Sequence, residues 1–492
     1  MARKSGILLH ISSLPGPGGI GSLGKEAYAF ADFLHESGMS IWQVLPMGPT
    51  GYGESPYQST SMYAGNPLYI SLTALRDEGL VEFRDDEINA DGLPGKVDFP
   101  KVREVHDRIL RRAFAASSVA LTASLDAFCK TAPWVEDFAL FTALKKHFDD
   151  KMWTAWPDPA IRLRKPDALK KYKNLLHDEI QFHIFCQYLF SLQWRKLKEY
   201  CNSINISLFG DMPIYVAEDS ADTWVSPRVF QLNRKRLPKK VAGVPPDYFS
   251  EDGQLWGNPL YNWHYLRLTG YRWWVNRMQH MLSMYDIVRV DHFIGFANYY
   301  SIPYGAKNAR HGKWILAPGK SLFRKLNKAI PNANIIAEDL GSVNARVQKL
   351  IDTTGYPGMF VLVFGFGGNP AENHHYPDHW TQNSVGYTGT HDNDTVLGYL
   401  QRADAEELES AKRTLHFDDI ADGPEAFIRS VLASPSDTAI IPMQDILHLD
   451  NRARMNLPGT IGGNWDYRMS ENDLTQALSN HLLDLNTQYR RI

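Results

Sequence analysis

The chain has 492 residues, 44% of them hydrophobic and 22% charged, with 52 Lys and Arg set against 55 Asp and Glu. That composition excludes a disordered or collagen-like chain, and a net charge of −3 gives no concentrated basic surface for nucleic acid. Three Cys without a C-x-x-C spacing exclude a disulfide framework and a structural zinc, and predict free buried thiols in a reducing compartment.

The opening "MARKSGILLHISSLPG" has a basic start and an apolar run too short for a secretory signal, and no later segment reaches membrane-spanning length. The expectation is a soluble, cytoplasmic protein with no membrane or nucleic-acid partner. Eight apolar runs then recur: residues 6–13, 41–51, 206–216, 286–293, 334–341, 359–368, 384–394 and 438–447. Each is apolar and β-branched without strict alternation, the pattern of a fully buried parallel strand. Amphipathic stretches such as "KEAYAFADFLHESG" and "NARVQKLIDTTG" lie between them and close on a glycine in the helix-stop position. Eight strands alternating with helices predict an α/β fold, a (β/α)₈ TIM barrel over residues 1–492; a doubly wound open sheet is the alternative.

The spacing is uneven. The interval between the second and third runs far exceeds one βα unit and carries long helical patterns, which predicts a mostly helical subdomain over about residues 66–200. A Pro-, Asp- and aromatic-rich stretch over about 217–264 reads as a second insertion, after strand 3, covering the cleft. A monomer is the expectation, since no coiled coil or exposed apolar helix is visible.

Catalytic groups of a barrel sit at the C-terminal ends of its strands. Asp211, Asp291, Glu338 and Asp392 all occupy that place. One such carboxylate alone reads as a cap or an ion-pair partner; four aimed into one mouth must repel, and their pKa values must separate. A carboxylate pair of that kind is the equipment of glycosidic bond cleavage. Arg289, two residues before Asp291 and on the same strand face, is expected to hold Asp291 ionised as nucleophile. Glu338, with the apolar "IIA" behind it, suits an acid/base role, although strand alternation lets only one of Glu338 and Asp339 face the centre.

"RVDHF", "AEDLG" and "GTHDNDT" resemble the catalytic segments of the α-amylase clan. With "GDMPIYVAEDSADTW", "ESPYQSTSMYAGNP", "VAGVPPDYFSEDGQLWGNPLYNW" and "ARMNLPGTIGGNW" they resemble in detail the 4-α-glucanotransferases of glycoside hydrolase family 77, from about residue 6 to the C-terminus. The resemblance implies a barrel with inserted subdomains, no cofactor and no metal. It implies transfer of α-1,4-glucan segments between malto-oligosaccharides, starch or glycogen-derived glucans, by a retaining double displacement.

Residue by residue, it implies Asp291 as nucleophile, Glu338 as acid/base and Asp392 as the third carboxylate, gripping donor hydroxyls. Arg289, His292 and His391 become contacts to Asp291 or to sugar hydroxyls, and Asp211 and Tyr57 line the donor side. Trp256 becomes a stacking platform on a "GNP" surface turn, with Tyr248 and Phe249 on a loop over the cleft and Tyr52 at a secondary glucan surface. The chain departs from the family pattern at Phe99, expected as a tyrosine of that surface, at Asn233, expected as Asp, and in "FGFGGNP", which lacks an Asp. An α-glucan hydrolase and a non-catalytic glucan-binding protein are the competing functions. Short charged or His-rich stretches such as "HDND", "HHYPDHW" and "NRKRLPKK" read as turns and solvated loops rather than metal or nucleic-acid sites.

Overall fold

The computed structural model describes residues 3–117, 119–246, 251–341 and 343–492, with the side chain of Tyr52 left aside. Among the described residues, twelve strands form two sheets. In chain order they are β1 (Lys4–Leu8), β2 (Ile41–Gln43), β3 (Ser207–Met212), β4 (Lys240–Val244), β5 (Gln254–Pro259), β6 (Ile287–Val290), β7 (Asn298–Pro303), β8 (Lys313–Leu316), β9 (Ile335–Ala337), β10 (Gly358–Val361), β11 (Ser384–Tyr387) and β12 (Thr438–Pro442).

Eight of these, in the order β10-β11-β12-β1-β2-β3-β6-β9, make one parallel sheet. They are the eight strands expected from the apolar runs, and neighbours in the sheet are neighbours in that series. The two ends of the row meet: the Ala337 N–H donates to the Pro357 carbonyl at 2.9 Å, and the Asp339 carboxylate accepts the Met359 N–H at 2.8 Å. The result is a nearly closed (β/α)₈ barrel. Its strands are buried on both faces, which is why their sequences lack alternation. Gly6 is required where β1 meets β2, because a Cβ there would stand 2.3 Å from the Ile41 carbonyl oxygen.

The helices follow the same logic. Lys25–Glu36 buries Ala27, Phe30, Ala31 and Leu34 against the barrel and is followed by Gly38 at φ 68°. Ala345–Thr354 starts on the Asn344 side chain, which accepts two backbone N–H groups, and stops on Gly355 in the left-handed region.

Between β2 and β3 the chain forms the helices Phe99–Ser117, Thr122–Thr131, Val135–His147, Pro166–Leu175 and His177–Ser203. The 27-residue His177–Ser203 helix packs at one end on Val135–His147 and at the other on the barrel-wall helices Lys25–Glu36 and Arg272–Met284. Tyr200 near its C-terminus donates to Asp32 at 2.5 Å. One helix therefore ties the inserted bundle to the barrel.

The second sheet has the order β5-β4-β7-β8 and is antiparallel. It joins the segment after β3 to the segment after β6. Among the described residues no helix is long and apolar enough to cross a membrane. Cys186 and Cys201 are buried and Cys129 half-buried, all as free thiols.

Candidate active site

The centre of the site follows from strand register. β3 and β6 pair so that Asp211 lies beside Arg289, and β6 and β9 pair so that Val290 lies beside Ala337. Asp211 and Arg289 thus meet within the ladder, while Asp291 and Glu338, one residue past each strand, emerge together at its rim. Arg289 Nη1 lies 2.5 Å from Asp211 Oδ2 and 3.2 Å from Asp291 Oδ1, and Nη2 lies 3.9 Å from Glu338 Oε2. One guanidinium serves three carboxylates.

The chain then turns sharply. His292 is left-handed, at φ 49° and ψ 48°, a region uncommon for residues other than glycine. That turn aims its N–H at Glu338 Oε2, 2.6 Å away, and the next N–H, of Phe293, at the Glu338 carbonyl, 2.9 Å away. Leu340 N–H donates to the other carboxylate oxygen at 2.7 Å. Of the adjacent pair, Glu338 faces the centre and Asp339 closes the barrel, so alternation decides between them as expected.

Tyr57, on the short Pro56–Gln58 turn after β2, donates its hydroxyl to Asp211 Oδ2 at 2.7 Å. Its ring stacks on His391, with centroids 5.1 Å apart and planes 14° apart. Trp256 meets the His292 ring edge-on at 4.9 Å.

Asp392 follows β11 in a turn held by Asn393, whose Oδ1 accepts both the N–H and the hydroxyl of Thr390 at 2.8 Å. The Asp392 side chain is 46% exposed, against 26% for Asp291 and 8% for Glu338. It is therefore the carboxylate most open to the cleft. Among the described residues no group of His, Cys, Asp and Glu is arranged to hold a metal ion.

Burial pushes the Glu338 carboxyl up to about 7, against the pull of Arg289 and of the two N–H groups it accepts. Burial also pushes Asp291 up, against Arg289, with Asp211, Glu338 and Asp392 adding to the rise. The expectation that Arg289 holds Asp291 ionised is opposed by burial: the guanidinium lowers Asp291, but it is shared with Asp211, its shortest contact, and burial outweighs it. Burial thus favours the protonated form of both acids, and the two titrate as a pair. His292, lowered to about 4 by burial, is neutral there.

Other sequence expectations resolve unevenly. Trp256 is half-buried on β5, and "GNP" ends that strand rather than forming a surface turn, with Gly257 at φ 81° supplying the bend. Phe99 opens a helix and is 6% exposed, so it is core rather than a stacking surface. Asn233 organises a turn, its Oδ1 accepting the Lys235 and Leu237 N–H groups. Tyr248, Phe249 and the Tyr52 side chain lie outside the described residues.

Three residues of "ARMNLPGTIGGNW" escaped assignment. Trp465 lies 5.8 Å from the Tyr57 ring and 6.0 Å from that of His391, completing an aromatic cluster beside the carboxylates. Asn456 Nδ2 donates to Asp392 Oδ1 at 2.7 Å, and Arg454 Nη2 to the Asp392 carbonyl at 2.6 Å. The motif was visible, but nothing in its residue types indicates which strand end it returns to.

A model of the 4-alpha-glucanotransferase family matches residues 9–475. The 4-alpha-glucanotransferase of Streptococcus pneumoniae is 45% identical over 498 residues, covering 100% of this chain and 98% of that one. That of Clostridium butyricum is 42% identical, covering 98% of this chain and all of that one. The solved amylomaltase of Streptococcus agalactiae, in complex with acarbose, superposes with a TM-score of 0.96 at 40% identity, over 99% of both chains.

Proposed function

The chain belongs to the 4-alpha-glucanotransferase family, and on that premise we propose that Asp291, Glu338 and Asp392 carry out its transfer of α-glucan segments. In this reading the Asp291 carboxylate attacks the anomeric carbon while Glu338 gives its proton to the departing glucan oxygen. Glu338, now ionised, then takes a proton from the 4-hydroxyl of an acceptor glucan, which attacks the covalent glycosyl-Asp291 and frees it. Two inversions give retention.

The observation that carries the assignment is the single Arg289 guanidinium reaching both Asp291 and Glu338. That arrangement puts both carboxyl groups on one cation at the rim of the barrel, as a cleavage pair requires. The rise of Glu338 to about 7 supports it too, since the first step needs a neutral acid to protonate the leaving oxygen. Half-open Asp392 is suited to grip donor hydroxyls as the ring flattens, which strengthens most in the transition state. His292 and His391, both lowered by burial, offer neutral hydrogen-bonding rings to the sugar, and Trp256, Tyr57 and Trp465 supply its apolar walls. The Streptococcus agalactiae relative binds acarbose, which supports a glucan-shaped cleft here.

Incubation with maltotriose tests the reading. Glucose and longer oligomers should appear while total reducing ends stay constant. Rising reducing ends with only shorter products would make water the acceptor and contradict transfer.

A further inference from the structure

On its own segment the Asp392 carboxylate has the neighbouring His391, whose Nε2 lies 3.4 Å from Oδ1. The two shortest contacts of Asp392 come instead from residues 454–456. Arg454 is 15% exposed and spends its whole fork on this junction. Nη1 pairs with Asp394, Nη2 donates to the Asp392 carbonyl at 2.6 Å, and Nε donates to the Asn456 carbonyl at 2.7 Å. Asn456 in turn donates from its side chain to Asp392 Oδ1 at 2.7 Å. The guanidinium therefore fixes the backbone on both sides of the Asn456–Asp392 contact. A planar five-donor group does this where a lysine ammonium, a point charge, cannot.

We propose that Arg454 and Asn456 are positioning residues for the transfer reaction, setting the plane of the Asp392 carboxylate so that its free oxygen faces the donor sugar. The proposal rests on Asp392 being the third carboxylate of the site. Residues 457–464 extend the same device. Their base is closed by the Trp465 N–H donating to the Met455 carbonyl at 2.7 Å and by the Leu457 N–H donating to Asn464 Oδ1 at 3.0 Å. The segment that holds Asp392 thus also presents Trp465 to Tyr57 and His391, so one short stretch sets both the carboxylate and the aromatic wall beside it.

Because Asp392 acts mainly as the ring distorts, a misaligned carboxylate lowers kcat more than it raises KM. Arg454→Lys should lower kcat with maltotriose about tenfold or more, with KM within about twofold and the thermal midpoint nearly unchanged. Asn456→Asp gives a signature that a packing role lacks. When ionised the new carboxyl repels Asp392, and when protonated it can donate to it. The kcat of Asn456→Asp relative to the parent should therefore climb as pH falls through the carboxylate range. An unchanged kcat in Arg454→Lys, or a ratio for Asn456→Asp that is flat with pH, overturns the proposal. Asp392→Asn is assayed alongside. If it is nearly inactive while the other two behave as the parent, only the positioning role fails; if it is active, the role of Asp392 itself fails.

Discussion

At the scale of single residues, the chemistry turns on two neighbouring acids whose carboxyls are both raised. Glu338, pushed up to about 7 by burial, must hold its proton for the first step, so kcat/KM should fall as pH rises past about 7. Asp291 must lose its proton, and burial raises it, so the acid limb should lie above the ordinary aspartate value. Both limbs belong to the pair rather than to either residue, and a pH profile with maltotriose measures them together. Tyr57 acts one contact further out. Its hydroxyl shares Asp211 Oδ2 with Arg289, and among the described residues Asp211 Oδ1 has no hydrogen-bond partner of its own. In Tyr57→Phe the guanidinium becomes the sole partner of Asp211 and is drawn away from Asp291. A loss of about tenfold to a hundredfold in kcat/KM is expected, from the roughly 1.5–3 kcal/mol of a hydrogen bond to a charged group. Steady-state kinetics at constant thermal midpoint check it.

At the scale of elements, the barrel has a clamp at the end opposite the site. Arg491, 2% exposed, donates to the carbonyls of Lys4, Val431, Leu432, Ser434 and Ser436. It joins the starts of β1 and β12 to the end of the Gly423–Ala433 helix, whose last carbonyls lack partners within the helix. Burial lowers it to about 9, so it remains charged at pH 7. Arg491→Met should cost about 3 kcal/mol or more, because several buried acceptors lose their donor at once, and urea unfolding measures it. The sequence made the eight barrel strands legible because strands buried on both faces read as plain apolar runs. It left β7 and β8 unread: "NYYSIP" pairs with β4, a partner some sixty residues earlier, and "KWIL" pairs in turn with β7, so neither reads as a strand without the sheet it joins. Asp291 and Glu338 were legible for a similar reason, since each directly follows a strand, while Asp211 sits within β3 and Asp392 five residues past β11. Arg454, Asn456 and Trp465 were not, because they reach the site from a loop whose path only the closed barrel determines. The left-handed turn at His292 was equally hidden, as histidine gives no local signal for it.

At the scale of the whole molecule, the site is built at a cost to stability. Three carboxylates around one guanidinium leave excess negative charge in a buried place, and the folded state answers by holding Asp291 and Glu338 protonated to a higher pH than an unfolded chain does. For acids raised in this way, stability is lost as pH climbs from the unfolded toward the folded value. Asp291→Asn removes one member, so its thermal midpoint should exceed the parent's at pH 8 and match it near pH 4. A lower midpoint at pH 8 would mean that Asp291 is worth more as the partner of Arg289 than it costs as a buried charge. The same residue decides the central claim. Glu338→Gln can still be glycosylated by a donor that needs no acid, such as an α-maltotriosyl fluoride, but loses the base that helps an acceptor release the sugar. Mass spectrometry of that reaction, followed by peptide mapping, should find one maltotriosyl group on Asp291, and none when Asp291→Asn is added. A sugar attached elsewhere, or no covalent adduct at all, would contradict the double displacement through Asp291.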